Sequence, residues 1–186
     1  MHMAFHTDRL TACIPTENEA ICVTALLQEE AVVKMLARMP WPYSETDYQV
    51  WLEKSRKDRQ AGSEYAFLLH HASYGVVGSV GMQHVAEDIW EIGYWIGKPF
   101  WGQGFVSEAA QGLIRWAEEN LSVTRFVSGH IVDNPASGRV LEKLGFHPVG
   151  RRVMYVRGRD GEVEALRYTL NAPSDIALQG PGHGPS

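Results

Sequence analysis

A strand predicted from the sequence passes into a predicted helix through the stretch GKPFWGQGFVSEA, residues 97–109. Gly102 and Gly104 lie two positions apart in it, and glycines let a backbone turn tightly and approach a ligand without a Cβ in the way. The helix that follows starts with amides that lack an intrahelical partner, at the positive end of its dipole. The stretch therefore favours binding of a phosphate group through backbone amides, although a glycine turn that only caps a helix fits the same residues.

Two common nucleotide motifs differ from this stretch. No Gly-Lys-Ser/Thr follows the first glycine, so it is not a P-loop. The dinucleotide fingerprint needs a third glycine and a strand-helix-strand unit, whereas the residues before the stretch predict a meander of three strands.

Hydrophobic periodicity and turn residues predict a mixed α/β (α+β) chain around this stretch. The predicted elements are, in order, strand Arg9–Ile14, helix Thr16–Arg38, helix Ser44–Gln60, strands Tyr65–His70, Gly75–His84 and Trp90–Ile96, helix Phe105–Asn120, strand Arg125–Val132, helix Asn134–Leu144, and strands Met154–Val156 and Val163–Leu170. We expect a single domain over residues 1–171. The Gly-, Pro- and Ser-rich tail over residues 172–186 is expected to be disordered.

Composition limits the classes of partner. The chain has 186 residues and a formal net charge of -5, which argues against a nucleic-acid-binding protein. No apolar run reaches the roughly 18 residues of a membrane span, and the N-terminus lacks a signal-peptide pattern, so a cytoplasmic protein without a membrane partner is expected. The two cysteines, Cys13 and Cys22, lack metal-ligand spacing, and no metal is expected.

A second stretch, NPASGRVLEKLGF over residues 134–146, predicts a helix with polar residues at its start. Asn134-Pro135 is a pair that opens helices. The Asn134 side chain can cap the helix or bind a ligand through hydrogen bonds. Arg139 and Lys143 are four residues apart and share a helix face, where they would contact either phosphate or water.

Together the two stretches resemble the acetyl-CoA motifs of the GNAT superfamily of N-acetyltransferases, in particular its RimJ/RimL-like branch. The strand EIGYWIG, residues 91–97, precedes the first motif as it does in that family, and Thr7-Asp8-Arg9-Leu10 resembles the N-terminal strand of the branch. Val106 departs from the family, which usually has Ala or Gly there. The resemblance spans about residues 7–170 and implies a GNAT fold, a central mixed, largely antiparallel sheet of six to seven strands flanked by helices and splayed between the fourth and fifth strands.

The resemblance also implies that acetyl-CoA is the acetyl donor and that no metal takes part. In the family, the pantetheine arm lies in the splay of the sheet like an added strand. The cofactor-binding residues implied in this chain are Tyr94, Trp95, Ile96, Trp101, Gly102, Gln103, Gly104, Phe105, Val106, Ser107, Asn134, Ser137, Arg139 and Lys143.

The implied reaction is direct attack of a primary amine on the thioester. Glu91 is the expected base and His84 the second candidate, although a surface carboxylate and a structural histidine explain these residues as well. Many family members protonate the leaving thiolate with a Tyr at the position of Leu141, and the branch instead offers Ser137. Trp41 and Tyr43 are expected to contact the acceptor, or else to pack the helices onto the sheet.

The sequence thus predicts an N-acetyltransferase for a protein N-terminus or a small-molecule amine. Because Leu141 replaces the usual Tyr, a non-catalytic acyl-CoA-binding sensor or structural module on the same fold is the alternative. A phosphate-binding protein that uses only the glycine turn is a third interpretation, but it leaves residues 134–146 unexplained. The acceptor, the acyl-chain preference and the formation of a homodimer are left open.

Overall fold

The computed structural model describes residues 3–179 and contains one open sheet with the strand order β1-β2-β3-β4-β5-β6-β8-β7. Its strands are β1 Met3–His6, β2 Leu10–Cys13, β3 Glu64–His71, β4 Gly75–Ala86, β5 Ile89–Ile96, β6 Arg125–Ile131, β7 His147–Val156 and β8 Gly161–Leu170. Its α-helices are α1 Ala20–Leu27, α2 Glu30–Val33, α3 Glu45–Gln60, α4 Phe105–Leu121, α5 Pro135–Lys143 and α6 Ser174–Gln179. Only β5 and β6 pair in parallel among these strands, so the predicted mixed, largely antiparallel sheet is confirmed.

Helices cover both faces of the sheet because strand side chains alternate between the faces. On β5, Ile92 and Ile96 pack with α4 and α5 in one buried cluster. Trp95, between them in the sequence, packs with α1, α2 and α3 in a second cluster on the opposite face. Neighbouring residues of β5 therefore point into two different layers of the protein.

The prediction of one helix over Thr16–Arg38 is wrong. A capping box between Thr16 and Glu19 starts a short 3-10 turn, which leads into α1. The backbone is extended at Glu29, where α1 and α2 are separated. Gln28, the C-cap of α1, donates a 2.7 Å hydrogen bond from its Nε2 to the carbonyl oxygen of Tyr43. The capping box of Ser44 and Asp47 that was expected at the start of α3 is present.

The edges of the sheet are longer than the sequence predicted. Strand β1 adds an eighth strand to the six or seven expected, paired antiparallel to β2. Strand β7 begins at His147 rather than at Met154. The expected disorder from residue 172 does not hold for Ser174–Gln179, which form α6 with Ala177 fully buried. The remainder of the predicted tail lies outside the described residues, and no helix among those described is long and apolar enough to cross a membrane.

Strands β5 and β6 separate shortly after they meet. β5 pairs with β4 along its whole length, but with β6 only over Ile89–Glu91, opposite Arg125–Val127. Beyond that point Ser128 Oγ donates a 2.9 Å hydrogen bond to the carbonyl oxygen of Ile92. The splay that was expected between the fourth and fifth predicted strands is therefore present between β5 and β6.

An arginine crosses the sheet at this splay. Arg167 lies on β8 opposite Gly129 of β6, and its Nη2 reaches Glu91 Oε1 on β5 at 2.6 Å. A Cβ on Gly129 would lie 2.7 Å from Arg167 Nη1 and 2.7 Å from the carbonyl oxygen of Leu166. The absence of a side chain at Gly129 thus gives the guanidinium its path across β6.

We expect Gly129→Ala to lower the free energy of unfolding by about 1–3 kcal/mol, because the new methyl group must displace either Arg167 or backbone. Urea denaturation checks this value. Gly93→Ala on β5 is the matched control, since its Cβ would have no atom within 4 Å. Equal stability of the two variants would contradict the packing described for Gly129.

Candidate active site

A cleft of about 1020 Å³ opens at the splay and has walls from both faces of the sheet. One wall comes from the starts of α4 and α5, and the other from the segment between α2 and α3, from α3 and from β7. Its floor is formed by the diverging part of β5 with β4 and β6. The splay therefore joins two compartments, one on the α4–α5 side and one on the α2–α3 side.

The glycine turn forms the α4 end of the cleft. Gly102 and Gly104 have φ of 76° and 79°, conformations that L side chains rarely adopt, and Gly104 is the N-cap of α4. Phe105, Val106 and Ser107, whose first-turn amides have no intrahelical partner, line the cleft. No heavy atom lies within 4 Å of the position of a Cβ on Gly102. This uncapped, open helix start fits a pyrophosphate group.

Arg9 and Glu108 hold the turn in place. Glu108 Oε1 accepts hydrogen bonds from the hydroxyl of Thr7 and from the backbone N–H of Arg9, and Arg9 Nη2 lies 2.7 Å from Glu108 Oε2. Arg9 Nη1 also donates to the carbonyl oxygen of Gln103 at 3.0 Å, and its guanidinium stacks 4.7 Å from the centre of the Phe105 ring. Burial alone would raise the pKa of Glu108, but these hydrogen bonds and the charge of Arg9 lower it.

The start of α5 forms the neighbouring part of the same wall. Asn134 Oδ1 accepts a 3.3 Å hydrogen bond from the backbone N–H of Ser137, so Asn134 caps the helix as the sequence allowed. Arg139 and Lys143 also line the cleft. Cationic side chains next to the amides of α4 suit the phosphates of a nucleotide-containing cofactor.

Tyr94 and Ser137 meet across the splay. The Tyr94 hydroxyl lies 3.0 Å from Ser137 Oγ, which joins β5 to α5. Burial raises the pKa of Tyr94 to about 12, against an opposing effect of the hydrogen bond from Ser137. The phenol is therefore protonated at neutral pH and available as a donor. Leu141, where many family members have a Tyr, is fully buried in the core.

Glu91 lies on the opposite face of β5 and is held by two partners. Arg167 Nη2 lies 2.6 Å from its Oε1, and Gln83 Nε2 donates to its Oε2 at 2.9 Å. Burial alone would raise the pKa of Glu91, but the charge of Arg167 and the two hydrogen bonds lower it below the ordinary value. A carboxylate with a lowered pKa is a weaker base, so this geometry argues against direct proton abstraction by Glu91.

The cleft collects most of the predicted cofactor-binding residues. Those that line it are Tyr94, Trp95, Ile96, Trp101, Gly102, Gly104, Phe105, Val106, Ser107, Asn134, Ser137, Arg139 and Lys143. Gln103 lies outside the lining, where its carbonyl oxygen binds Arg9. The indole Nε1 of Trp101 donates to the carbonyl oxygen of Ile96 at 2.7 Å, which closes the turn against the end of β5.

The two predicted acceptor-binding residues, Trp41 and Tyr43, and the second candidate base, His84, lie in different environments. Tyr43 lines the cleft and is buried, and burial raises the pKa of its hydroxyl. Trp41 lies outside the lining and packs against the cluster beneath α1 and α3. His84 is also outside it, exposed at the β4–β5 turn, where its ring bonds to the carbonyl oxygen of Glu87 and packs edge-on against Trp90. Strand alternation sends the His84 side chain away from the face that Gln83 shares with Glu91, so the structure does not bring this candidate base into the cleft.

The sequence motifs also match a known protein family. The model of the acetyltransferase (GNAT) domain matches residues 6–147. The chain belongs to the GNAT acetyltransferase family. As a GNAT acetyltransferase, the protein is an N-acetyltransferase that uses acetyl-CoA as its acetyl donor, in keeping with the phosphate-binding features at the starts of α4 and α5.

Relatives and solved structures agree with this assignment. A Bacillus subtilis (strain 168) protein named putative ribosomal N-acetyltransferase YdaF is 41% identical over 149 residues, which are 77% of this chain and 81% of that protein. The fold matches MccE, a microcin C7 self-immunity acetyltransferase in complex with acetyl-CoA and AMP, with TM-score 0.75 and 24% identity over 87% of this chain and 92% of that one. It also matches RimL, a ribosomal L7/L12 alpha-N-protein acetyltransferase in complex with coenzyme A, with TM-score 0.76 and 20% identity over 92% and 100%.

The sequence did not predict which side chains make contacts across the cleft between residues far apart in the chain. Tyr94 was assigned only through its backbone, and Arg167 and Gln83 were not singled out. One signal was present in the sequence, since Glu91 and Tyr94 are three residues apart on one strand and must point to opposite faces. The contacts of Tyr94 with Ser137 and of Glu91 with Arg167 join residues that are far apart in the sequence.

Gly104→Ala tests the glycine turn. We expect the dissociation constant for acetyl-CoA to rise at least tenfold, because an alanine strains the positive φ that shapes the start of α4. Isothermal titration with acetyl-CoA measures it. Gly62→Ala is the control, since Gly62 has a φ of 69° after α3, outside the cleft lining. Unchanged affinity in Gly104→Ala would remove the turn from the cofactor site.

Glu91→Gln tests the buried ion pair. At pH 7 we expect the free energy of unfolding to fall by about 3 kcal/mol, because the charge of Arg167 loses its partner. The folded pKa of Glu91 is lowered, so its contribution is present above the unfolded value near 4.3 and is lost as the pH falls through the folded value. Urea denaturation at a series of pH values should therefore show that the difference in free energy of unfolding between the wild type and Glu91→Gln shrinks below about pH 4. The exposed Glu118→Gln on α4 is the control, and a constant difference at all pH values would contradict the ion pair.

Proposed function

We propose that this N-acetyltransferase acetylates the α-amino group at the N-terminus of a peptide or protein. The observation that carries the proposal is the state of Glu91, the carboxylate beside the splay, which Arg167 holds ionised with a lowered pKa. An α-amine has a pKa near 8 and needs only roughly 1 kcal/mol to become neutral at pH 7, so it requires little help from a base. A lysine side chain needs roughly 4–5 kcal/mol and would depend on a base of higher pKa than Glu91.

The names of similar proteins support this choice of acceptor. The Bacillus subtilis relative is named a putative ribosomal N-acetyltransferase, and the RimL structure is named a ribosomal L7/L12 alpha-N-protein acetyltransferase. An Escherichia coli (strain K12) protein named ribosomal-protein-serine acetyltransferase is 43% identical over 56 residues, which are 30% of this chain. The last two names give a ribosomal protein as the acceptor, which favours a protein acceptor over a small-molecule amine.

In this proposal the two compartments of the cleft bind different substrates. On the α4–α5 side, the amides of residues 105–107 with Arg139 and Lys143 hold the cofactor phosphates. The backbone of Tyr94–Ile96, unpaired with β6, is the edge along which the pantetheine arm is hydrogen-bonded. Bound acetyl-CoA supplies the acetyl group as a thioester at the splay, and the acceptor amine approaches from the α2–α3 side.

The hydroxyls of Tyr94 and Ser137 stabilise the leaving sulfur by hydrogen bonding. With a pKa of about 12, Tyr94 keeps its proton, because transfer to a thiolate with a pKa near 8.5 would be uphill by roughly 5 kcal/mol. A donated hydrogen bond stabilises the developing negative charge on sulfur without that transfer. This pair takes the place of the Tyr that the family often has at Leu141, which favours catalysis over a sensor without turnover.

Matched amines test the proposal. A peptide with a free α-amine and no lysine should be acetylated roughly 100-fold faster in kcat/KM at pH 7 than an N-terminally blocked peptide with one lysine, because the neutral fractions of the two amines differ by this factor. Thiol release measures the rate, and mass spectrometry locates the acetyl group. Polyamines and aminoglycosides complete the panel. Preference for a lysine or a small-molecule amine would refute the proposal.

The pH profile and one variant separate catalysis from binding alone. The rising limb of kcat/KM should lie near pH 8 and follow the pKa of the acceptor amine. Tyr94→Phe should lower kcat about tenfold to 100-fold with an unchanged dissociation constant for acetyl-CoA, since it removes one donor to the leaving sulfur. Tyr155→Phe, exposed on β7, is the control. Tight binding of acetyl-CoA without turnover of any amine would instead support the sensor.

A further inference from the structure

The α2–α3 compartment of the cleft is rich in arginine. Arg38, Arg152, Arg157 and Arg167 all line it, together with the carboxylate of Glu91. Arg167 contacts Glu91 directly, and Arg38 bonds through its Nη2 to Oε1 of Gln83, whose Nε2 in turn donates to Glu91. The guanidinium of Arg152 lies close enough to Arg167 and Glu91 for their charges to act on its pKa.

The other acidic groups of the cleft are engaged elsewhere. Asp47 accepts hydrogen bonds from Ser44 in the cap of α3. Glu64 pairs with Lys54, and Asp133 pairs with Arg159. Arg38 and Arg157 have no ion-pair partner within residues 3–179. The lining of this side therefore holds five cations, the four arginines and Lys54, against the four carboxylates of Asp47, Glu64, Glu91 and Asp133, an excess of one positive charge.

This charge is separate from the cofactor-binding cations. Arg139 and Lys143 lie on α5, on the same face of the sheet as Tyr94 and the start of α4. Glu91 and Gln83 are register partners on β5 and β4 and point to the opposite face, where Arg38 and Arg167 meet them. Phosphates bound at α4 and α5 thus leave the second arginine group for the other substrate.

We propose that the acceptor carries an anionic group, a carboxylate or a phosphate, close to the amine that is acetylated, and that Arg38 and Arg157 bind this group. The inference rests on the proposed function for the α-amine. Guanidinium groups bind carboxylate and phosphate through paired hydrogen bonds, and they do so most strongly where water is partly excluded.

Electrostatics favours such an acceptor. Burial lowers the pKa of Arg152, and the guanidinium of Arg167 lies close enough for its charge to lower that pKa further, so cations repel one another in this compartment. An anionic group on the acceptor offsets this repulsion, whereas a polycationic amine adds to it.

The test compares peptides that differ only at the second residue. Four peptides begin with Ala followed by Glu, Gln, Lys or phosphoserine, with the same neutral sequence after it. For the wild-type enzyme we expect kcat/KM for the Glu or phosphoserine peptide to exceed that for the Gln peptide about tenfold, as for one charge-assisted contact, with the Lys peptide slowest. The ratio of the Glu to the phosphoserine peptide tells which anion fits better.

Variants tie the preference to the arginines. In Arg38→Gln and Arg157→Gln, both at exposed positions, the preference for Glu over Gln should fall to about twofold while the dissociation constant for acetyl-CoA stays unchanged. Arg151→Gln is the matched control, since Arg151 precedes Arg152 on β7, lies outside the cleft lining and pairs with Glu164. It should keep the wild-type preference.

The outcomes separate this inference from the proposed function. Equal turnover of all four peptides, or preference for the Lys peptide, would overturn the inference and leave α-amine acetylation standing. Turnover of small anionic amines such as glutamate, above glutamine, with inert peptides would support the inference and overturn the peptide acceptor. A wild-type preference that survives in both arginine variants would remove Arg38 and Arg157 from acceptor recognition, and no turnover of any amine would overturn both.

Discussion

The separation of β5 from β6 after Glu91 and Val127 is the constraint on which the cleft depends. A strand that loses its neighbour leaves backbone N–H and C=O groups unpaired, which is unfavourable unless another partner binds them. In the proposed mode of binding, the amide groups of the pantetheine arm of acetyl-CoA pair with the free edge of β5. In that mode the cofactor takes the place of the missing neighbouring strand.

Two polar contacts hold the strands at the point where they separate. Ser128 satisfies the carbonyl oxygen of Ile92, and the ion pair of Glu91 with Arg167 ties β5 to β8 across Gly129. A buried ion pair contributes little net stability, because desolvation of both charges offsets their attraction. Its value here is geometric, since the charged groups fix one arrangement of three strands, and apolar side chains would hold these strands with less directional restraint.

The same strand separates the chemistry of the two substrates. Tyr94 faces α5 and the proposed position of the leaving sulfur, whereas Glu91 faces the arginines of the α2–α3 compartment. On the cofactor side, the N-terminal strand contributes as well, because Arg9 braces both the glycine turn and the first turn of α4 through Glu108. The resemblance of residues 7–10 to a family motif thereby has a structural cause.

The sequence by itself determined the features that depend on neighbouring residues. The glycine turn, the Asn134-Pro135 helix start and the alternation along β5 are local, since backbone conformation and side-chain period follow from a few adjacent positions. The splay, by contrast, was expected only from the family resemblance.

Tertiary structure alone decided that Tyr94 meets Ser137, 43 residues away, and that Glu91 is an ion-paired carboxylate. It also decided that His84 lies outside the cleft and that an extended backbone at Glu29 interrupts a predicted helix. The pKa of a carboxylate, the accessibility of a base and the path of a side chain across a strand depend on burial and on charges brought from distant parts of the chain, which no local pattern encodes.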